Sequence, residues 1–584
     1  MRFLAGRLIL AQAPSLIHQA LQARDAEPHK AAQKTPYNKS KNCLETHMKN
    51  KNLSLASTGW AGICLAAGLS SPTWAMEIDT GIDDLSVRFD NTLKYNLGYR
   101  VDGRDSRIAN NFTADEGDYK FDRGDAVTNR VDLLSELELD YQGKYGARVS
   151  AASWYDDAYE DVNVQKNPNA GHTSYDKDSY SNNTKRYYRG PSGEFLDAFV
   201  YANLAVADRP VNIKAGKHVV YWGVSLFTQN GIANNQHPID GRKSAATPGT
   251  EVRETFLPLN QVSMQTQVTD NVSVAAQYYL DWDHIRVPEG GTYLGGTDFL
   301  FNGPDSFYYA DPLGMSLRRQ GAVEPKKRGN WGVNTKWTVP ELNGTTFGVY
   351  YREYDEKNNF WLQTDFARGI YRPVFARNVK LYGISIDTTF DKYAIGAELV
   401  TRRNTSLNST GVSADLEGAR GNTYHALINT IFSLPNSPLW DTGTATAELT
   451  YDYLDEVTKN ERLFKKASRC AYGKDEGCAT RDAVGFNMTV KPQYLGVFPG
   501  VDLALPLTLG GGLHGNSAMG GVNEGAYTYS VGLEADIRKQ YLATLTWADS
   551  TADIKRTANG NYTGNGGWTT TDRGRITLTL KTSF

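Results

Sequence analysis

From Arg575 to Phe584 the chain alternates. Ile576, Leu578, Leu580, Thr582 and Phe584 make a mainly apolar row, and Arg575, Thr577, Thr579, Lys581 and Ser583 a polar one. Successive side chains of a strand point to opposite faces, so the pattern predicts a strand with an oily side and a wet side. Leu85 to Tyr99 repeats it. Leu85, Val87, Phe89, Leu93, Tyr95, Leu97 and Tyr99 face one way, and Ser86, Arg88, Asp90, Thr92, Lys94 and Asn96 the other, with only Asn91 breaking the apolar row. That run far exceeds the roughly 5–6 residues of an ordinary globular strand. The pattern recurs near 129–141, 145–155, 194–204, 211–222, 259–268, 271–282, 330–338, 345–354 and 379–390. It continues near 393–403, 423–433, 443–454, 483–491, 501–510, 526–538, 540–549 and 573–584. With 85–99 the expected number is about 18, even, as for a barrel whose two ends lie on one side of a membrane; 16 is the alternative.

The connections sort by length. After even-numbered strands they are mostly tight, as at Gln142-Gly143-Lys144, Asp270-Asn271 and Asp391-Lys392. After odd-numbered strands they are long, near 100–128, 156–193, 223–258, 283–329, 355–378, 404–422, 455–482, 511–525 and 550–572. The predicted fold is therefore all-β, a transmembrane antiparallel β-barrel with short periplasmic turns and long extracellular loops. A soluble sandwich or propeller has no reason to sort its loops this way. Tyr99, Tyr155, Trp222, Trp282, Tyr351, Tyr453 and Trp547, near strand ends, are expected in aromatic girdles.

The last strand resembles the C-terminal strand of Gram-negative outer-membrane barrels, in which a terminal Phe belongs to the signal read by the insertion machinery. The resemblance makes Phe584 the expected assembly signal, with Thr582 standing where such signals more often carry an apolar residue. Residues 1–47 hold no fold signal and are expected to lie outside the mature protein. Met48 opens a secretory signal: Lys49 and Lys51, an apolar stretch from Leu53 to Leu69, then Thr73-Trp74-Ala75 as a small-x-small cleavage site. The expected mature barrel is 76–584. Cys43 and Cys64 fall in the removed part, and Cys470 and Cys478 read as one loop disulfide of an exported protein.

Composition changes this picture little. A net charge of -3 gives no support for nucleic acid as a partner. The mean hydropathy of -0.49 is compatible with a barrel, whose lipid-facing and lumen-facing residues cancel. No apolar run of about 18 residues occurs in the body of the chain, which excludes helical spans there.

Charges face lipid only at high cost, so those on the wet rows must line the lumen. The pore-lining candidates are Arg88, Asp90, Lys94, Arg130, Asp132, Glu136, Glu138, Arg148, Arg575 and Lys581. Acids and bases on neighbouring strands either set a transverse field for selectivity or brace the wall. The segment Gly223 to Pro258 is expected to fold into the lumen as a constriction. It is much longer than a connection needs and carries Val224, Leu226, Phe227, Ile232, Ile239, Phe256 and Leu257, apolar residues without a strand to place them. Phe227, His237, Asp240, Arg242 and Lys243 are its candidate residues, the last four expected to meet the charged wall of the first three strands. The alternative is an external loop packed on its neighbours. The six histidines of the mature chain (His172, His218, His237, His284, His425, His514) lack metal-ligand spacing, and no Gly-x-Ser-x-Gly elbow occurs. Neither metal nor cofactor is expected, and an enzyme is not; a barrel hydrolase needs a Ser–His pair on adjacent strands, with His425 the only lumen-side candidate by parity. Too little chain precedes the first strand for an N-terminal plug domain.

Several segments resemble the Gram-negative outer-membrane family known as domain of unknown function 1302. They are Phe121-Asp122-Arg123-Gly124-Asp125, Asn129 to Glu136, Gly216-Lys217, Val220-Tyr221-Trp222-Gly223, His237-Pro238-Ile239-Asp240, Pro248-Gly249 and Glu251 to Pro258. His237 departs from the Asn that members commonly place before Pro-Ile/Val-Asp. The resemblance implies an outer-membrane protein of undetermined activity whose relatives are often encoded beside catabolic or export genes for hydrophobic compounds. The expected function is a channel for small organic solutes, with hydrophobic ones as a candidate class. The alternatives are a structural or docking barrel serving a periplasmic carrier, and a barrel lipase or esterase. Expected partners are outer-membrane lipid and lipopolysaccharide, the barrel-assembly machinery and the solute.

Overall fold

The computed structural model describes residues 76–584 apart from Pro248. The expected signal peptide, the start at Met48, and Cys43 and Cys64 lie outside the described residues. A closed sheet of 18 strands forms the body. Its first half is β1 Leu85–Arg100, β2 Ala126–Tyr141, β3 Tyr145–Asp156, β4 Ser192–Val206, β5 Arg209–His218, β6 Leu259–Gln267, β7 Val272–Tyr279, β8 Trp331–Val339 and β9 Thr345–Tyr354. The second half is β10 Val379–Phe390, β11 Tyr393–Ser406, β12 Arg420–Leu434, β13 Thr442–Lys459, β14 Asp482–Phe498, β15 Val501–Ala504 with Leu507–His514, β16 Tyr527–Ile537, β17 Tyr541–Thr551 and β18 Arg575–Ser583. Sequence neighbours pair antiparallel, and β18 pairs with β1 to close the barrel.

Strand number and order are as the alternation predicts, and several boundaries move. β5 and β7 stop at His218 and Tyr279, short of 222 and 282, because the chain turns inward beyond both. Trp222 and Trp282 are accordingly buried inside the molecule and belong to no girdle. β15 is interrupted at Leu505-Pro506, where Pro506 has no N–H to give the ladder. β14 runs on to Phe498, past the expected end at 491.

The seam leaves no free edge. β18 covers Thr92 to Arg100 of β1. Asn91 exchanges both backbone hydrogen bonds with Phe584, at 2.7 and 2.8 Å. Below them Met76–Ile78 folds back on Val87 to Phe89. Asn91, the break in the apolar row, accepts a hydrogen bond from Ser135 Oγ at 2.7 Å, so the two polar side chains satisfy each other on the outer face.

Outside, every second residue is an exposed apolar one: Val200, Val349, Ile384, Leu399, Ile428 and Leu449 stand out from the wall. Two aromatic belts flank this band, with Tyr141, Tyr145, Trp337 and Phe390 toward the short turns and Tyr99, Tyr278, Tyr382, Tyr451 and Trp547 toward the long loops. A soluble protein does not expose so continuous an apolar surface, and a closed barrel leaves no backbone group unpaired in lipid. The protein is an outer-membrane β-barrel.

The long loops pack into a cap. Met315–Arg319 lies between Ser306–Ala310 and Ile370–Val374, which pairs in turn with Trp361–Asp365, giving a four-stranded sheet from two loops. Arg100, fully buried, pairs with Asp118 at 2.5 Å and donates to the carbonyls of Phe121 and Asp572. Arg573 donates to the carbonyls of Tyr293 and Gly295 at 2.6 and 2.9 Å. The first, fourth and last long loops are thereby joined at the barrel rim.

Candidate functional site

The segment 219–258, between β5 and β6, enters the barrel and is held by the wall through its backbone. Parity places Glu398 of β11, Asn429 of β12 and Glu448 of β13 inward, opposite the exposed Leu399, Ile428 and Leu449. Glu398 accepts from the N–H groups of Val224, Ser225 (3.0 Å) and Ile232 (2.6 Å). Glu448 accepts from Leu226 (2.6 Å), Phe227 (3.1 Å) and Thr228 (2.6 Å). Asn429 donates to the Val224 carbonyl at 2.8 Å. From β9, Arg352 donates to the carbonyls of Ile232 and Asn234 at 2.9 and 2.6 Å, and from β11 Arg402 donates to those of Asn230 and Gly231. Acids thus meet N–H groups and bases meet carbonyls, each pairing charge-assisted and out of water. Gly223 and Gly231 are required here: a Cβ at either would stand 2.3 or 2.8 Å from a Glu398 oxygen.

Apolar packing completes the hold. Trp222 and Ile232 pack with Tyr350, Tyr354, Val379, Leu381 and Val400 of the wall, and Ile239, Val252 and Phe256 pack with Trp282, Phe301 and Phe375 of the cap. The two arms meet in a bridge between Ile239 and Phe256. Beyond that pinch an excursion, with the short helix α1 Gly241–Ala246, crosses to the far wall. There Arg575 of β18 donates to the carbonyls of Ala245 (2.8 Å) and Ala246.

The candidate residues of the segment have separate places. Phe227 is bound through its N–H to Glu448. His237 is fully buried, its Nε2 accepting from the Val220 N–H at 3.0 Å and its Nδ1–H donating to the Leu257 carbonyl at 3.1 Å. Burial, with Lys357 nearby, pushes its pKa well below the ordinary histidine value, so the ring is neutral. Asp240 caps α1 and pairs with Arg242 at 2.8 Å, and Arg242 lies 4.3 Å over the Tyr187 ring. Lys243 stands on α1. His237 and Asp240 do not reach the first three strands; strands β9 to β13 and β18 supply the anchors.

The pore-lining candidates of β1 to β3 form a ladder of ion pairs with Asp197 of β4, all but Lys94, which stands opposite Lys581 of β18 in register. Arg88 meets Asp90 at 2.9 Å and Glu138 at 3.2 Å, Arg148 meets Glu136, Glu138 (3.7 Å) and Asp197 (3.8 Å), and Arg130 meets Asp132 at 2.8 Å. Their side chains remain a quarter to a half exposed, so each pair faces a wet lumen and contributes little to stability by itself. The same pairs brace neighbouring strands.

The histidines are dispersed. His218 Nε2 lies 2.7 Å from Ser263 Oγ, with its Nδ1 on the Gly216 carbonyl, while His425 Nδ1 lies 2.7 Å from Asp452. The Ser–His pair on adjacent strands is thus His218 with Ser263, on β5 and β6, and not one at His425, the candidate named from parity; among the described residues no histidine contacts both a serine hydroxyl and a carboxylate. Cys470 and Cys478 are bonded, in the loop between β13 and β14.

Sequence reasoning did not single out Glu398, Glu448, Arg352 and Arg402. Parity alone marks them as inward, and nothing local marks them as partners of a segment some 120–220 positions earlier.

No curated protein matches the sequence. Among solved structures the chain is similar to OpdK of Pseudomonas aeruginosa with vanillate, at 10% identity over 85% of this chain and 98% of that chain, TM-score 0.38. It is similar to the outer membrane channel DcaP of Acinetobacter baumannii, at 10% identity over 88% and 100%, TM-score 0.35. A third is OccAB4 of Acinetobacter baumannii, at 8% identity over 88% and 100%, TM-score 0.40. The family model described as "Protein of unknown function (DUF1302)" matches residues 56–584, and the chain belongs to that family.

Proposed function

We propose that this protein is an outer-membrane channel for small organic solutes, and that the segment 219–258 sets its aperture. The observation that carries the reading is the course of that segment: anchored to β9, β11, β12 and β13 on one side and to β18 on the other, it crosses the lumen. A barrel serving only as a structural support has no need for a crossing backbone anchored by buried charges. The wall left beside the segment, on β1 to β4, is charged, partly exposed and wet, which suits a polar path past the constriction. In this reading Arg88, Asp90, Arg130, Asp132, Glu136, Glu138 and Arg148 line the path and brace it at once. The outside is bilayer and lipopolysaccharide, and Phe584, hydrogen-bonded to Asn91 at the seam, is the residue presented to the assembly machinery. The test is electrical. Purified mature protein inserted in planar bilayers should give discrete, ohmic current steps; a refolded, heat-modifiable barrel that carries no current contradicts the proposal.

A further inference from the structure

The lipid-facing wall is hollowed near its short turns. A groove of about 520 Å³ lies on the outside of β1 to β5. Small-ligand pockets span roughly 300–1,000 Å³. Register explains the hollow. In one row Ala202 of β4 stands between Tyr145 of β3 and Ile213 of β5. In the next row Ala147 of β3 stands between Leu139 of β2 and Val200 of β4. Residues directly opposite share a face, so each alanine leaves a gap between two larger side chains, and the two gaps adjoin diagonally across the β3–β4 pair. Leu139, Tyr141, Tyr145 and Val200 are exposed and form the rims, with both alanines half-buried between them.

The groove opens outward. Alternate residues of the same strands face the lumen, where Arg148 holds Glu136 and Tyr201 donates to Asp140. No charged side chain lines the groove. It continues the exposed apolar band through which the barrel meets the bilayer. Tyr141 and Tyr145 belong to the belt on the side of the short turns, which places the groove in the periplasmic leaflet. Phospholipid rather than lipopolysaccharide supplies the lipid there. Just beyond the belt, Lys144 stands exposed on the β2–β3 turn, next to Tyr145. Its ammonium makes no ion pair or hydrogen bond among the described residues. An apolar groove that ends at an aromatic belt and an unpaired cation matches the order of tail, interface and phosphate in a phospholipid.

We propose that this groove seats an acyl chain of a phospholipid of the periplasmic leaflet, with the lipid phosphate against Lys144. The site lies on the outer face and stands independently of the channel reading. A chain in the groove touches Ala147 and Ala202 beneath it and the larger side chains on both flanks, whereas a flat wall touches it on one side only. The seated lipid is thereby held longer than its neighbours, and it joins β2 to β5 from outside.

The test uses dioleoyl phosphatidylglycerol as probe on the detergent-solubilised mature protein, with bound lipid counted by native mass spectrometry. Wild type should retain the probe through detergent washing. The double variant Ala147→Leu, Ala202→Leu, which fills the groove, should retain at least fivefold less, and Lys144→Gln several-fold less. Val349→Leu, at an exposed lipid-facing site on β9, should match wild type. Protein extracted from outer membranes should carry phospholipid that the filled variant lacks. No probe retained by wild type, equal retention in the filled variant, equal loss in Val349→Leu, no change in Lys144→Gln, or lipopolysaccharide as the molecule lost on filling overturns the proposal. Leucine adds apolar surface to an apolar face, so the filled variant is expected to fold, and the unboiled gel shift verifies this. Ala202→Leu alone, with an intermediate loss, carries the test otherwise.

Discussion

Glu448 on the barrel wall accepts the backbone N–H of Leu226 on the inserted segment at 2.6 Å, and its other oxygen accepts those of Phe227 and Thr228. Every group around this carboxylate is a donor, Asn429 Nδ2 included. Glutamine therefore cannot replace it, since its NH2 would turn toward N–H groups. Glu448→Gln and Glu448→Ala should both free this arm, at about 1.5–3 kcal/mol for each charge-assisted bond lost. Hydrogen exchange at 224–232 should accelerate while the strands stay protected, and open-channel noise should rise. Unchanged exchange in both variants contradicts the anchoring role.

Gly231 offers a handle on the neighbouring anchor, Glu398. A Cβ there would meet a Glu398 oxygen at 2.8 Å. Gly231→Ala should move the carboxylate and reproduce part of the Glu448→Gln phenotype, whereas Gly411→Ala, in the loop between β11 and β12 with nothing within 4 Å of the added carbon, should leave channel noise unaltered.

The cap should respond to pH. Burial raises Glu116 to about 8, Glu289 to about 7 and Asp115 to about 6, all on long loops outside the spanning strands. A carboxyl with a raised folded pKa binds its proton more tightly in the folded cap than in the opened one. Its stability contribution is complete below the unfolded value and is lost as pH rises from about 4.5 to about 8. Cap amides, corrected for intrinsic exchange, should be better protected at pH 5 than at pH 8.5, and Glu116→Gln should flatten the dependence. Protection that grows with pH contradicts this assignment.

The bond between Cys470 and Cys478 closes a short loop in a surface connection. Chain-entropy reasoning gives about 2–3 kcal/mol for so short a closure. Reduction should loosen the β13–β14 loop alone, leaving the barrel's melting behaviour and conductance unchanged. Mass spectrometry of exported protein should find the pair oxidised; two free thiols there rule it out.

The wall of this protein is written locally and its interior is not. Alternation at Leu85 to Tyr99 and at Arg575 to Phe584 marks strands because each side chain's environment, lipid or water, is decided by its own parity. The sorted connection lengths supply topology. Where a residue's surroundings depend on distant chain, the signal disappears. Trp222 and Trp282 look like girdle residues because both follow strands, yet both are buried where the chain leaves the wall. Glu398 looks like any lumen acid until Val224, Ser225 and Ile232 are brought to it. The apolar residues Ile232, Ile239 and Phe256, stranded in a long loop, were the legible trace of insertion; the partners that hold them were not.

The excursion beyond the Ile239–Phe256 bridge offers the most direct test of the central claim, because its ends are already adjacent: the Asp240 N–H donates to the Thr255 carbonyl at 2.8 Å. Residues 242–251 can therefore be replaced by two glycines, which leaves the wall anchors in place and keeps Val252 in its packing and on the Leu226 carbonyl. Single-channel conductance of this variant in planar bilayers should exceed that of the wild type several-fold, since the part of the segment that reaches β18 is gone. A correctly folded variant with wild-type conductance would contradict the account and place the constriction elsewhere.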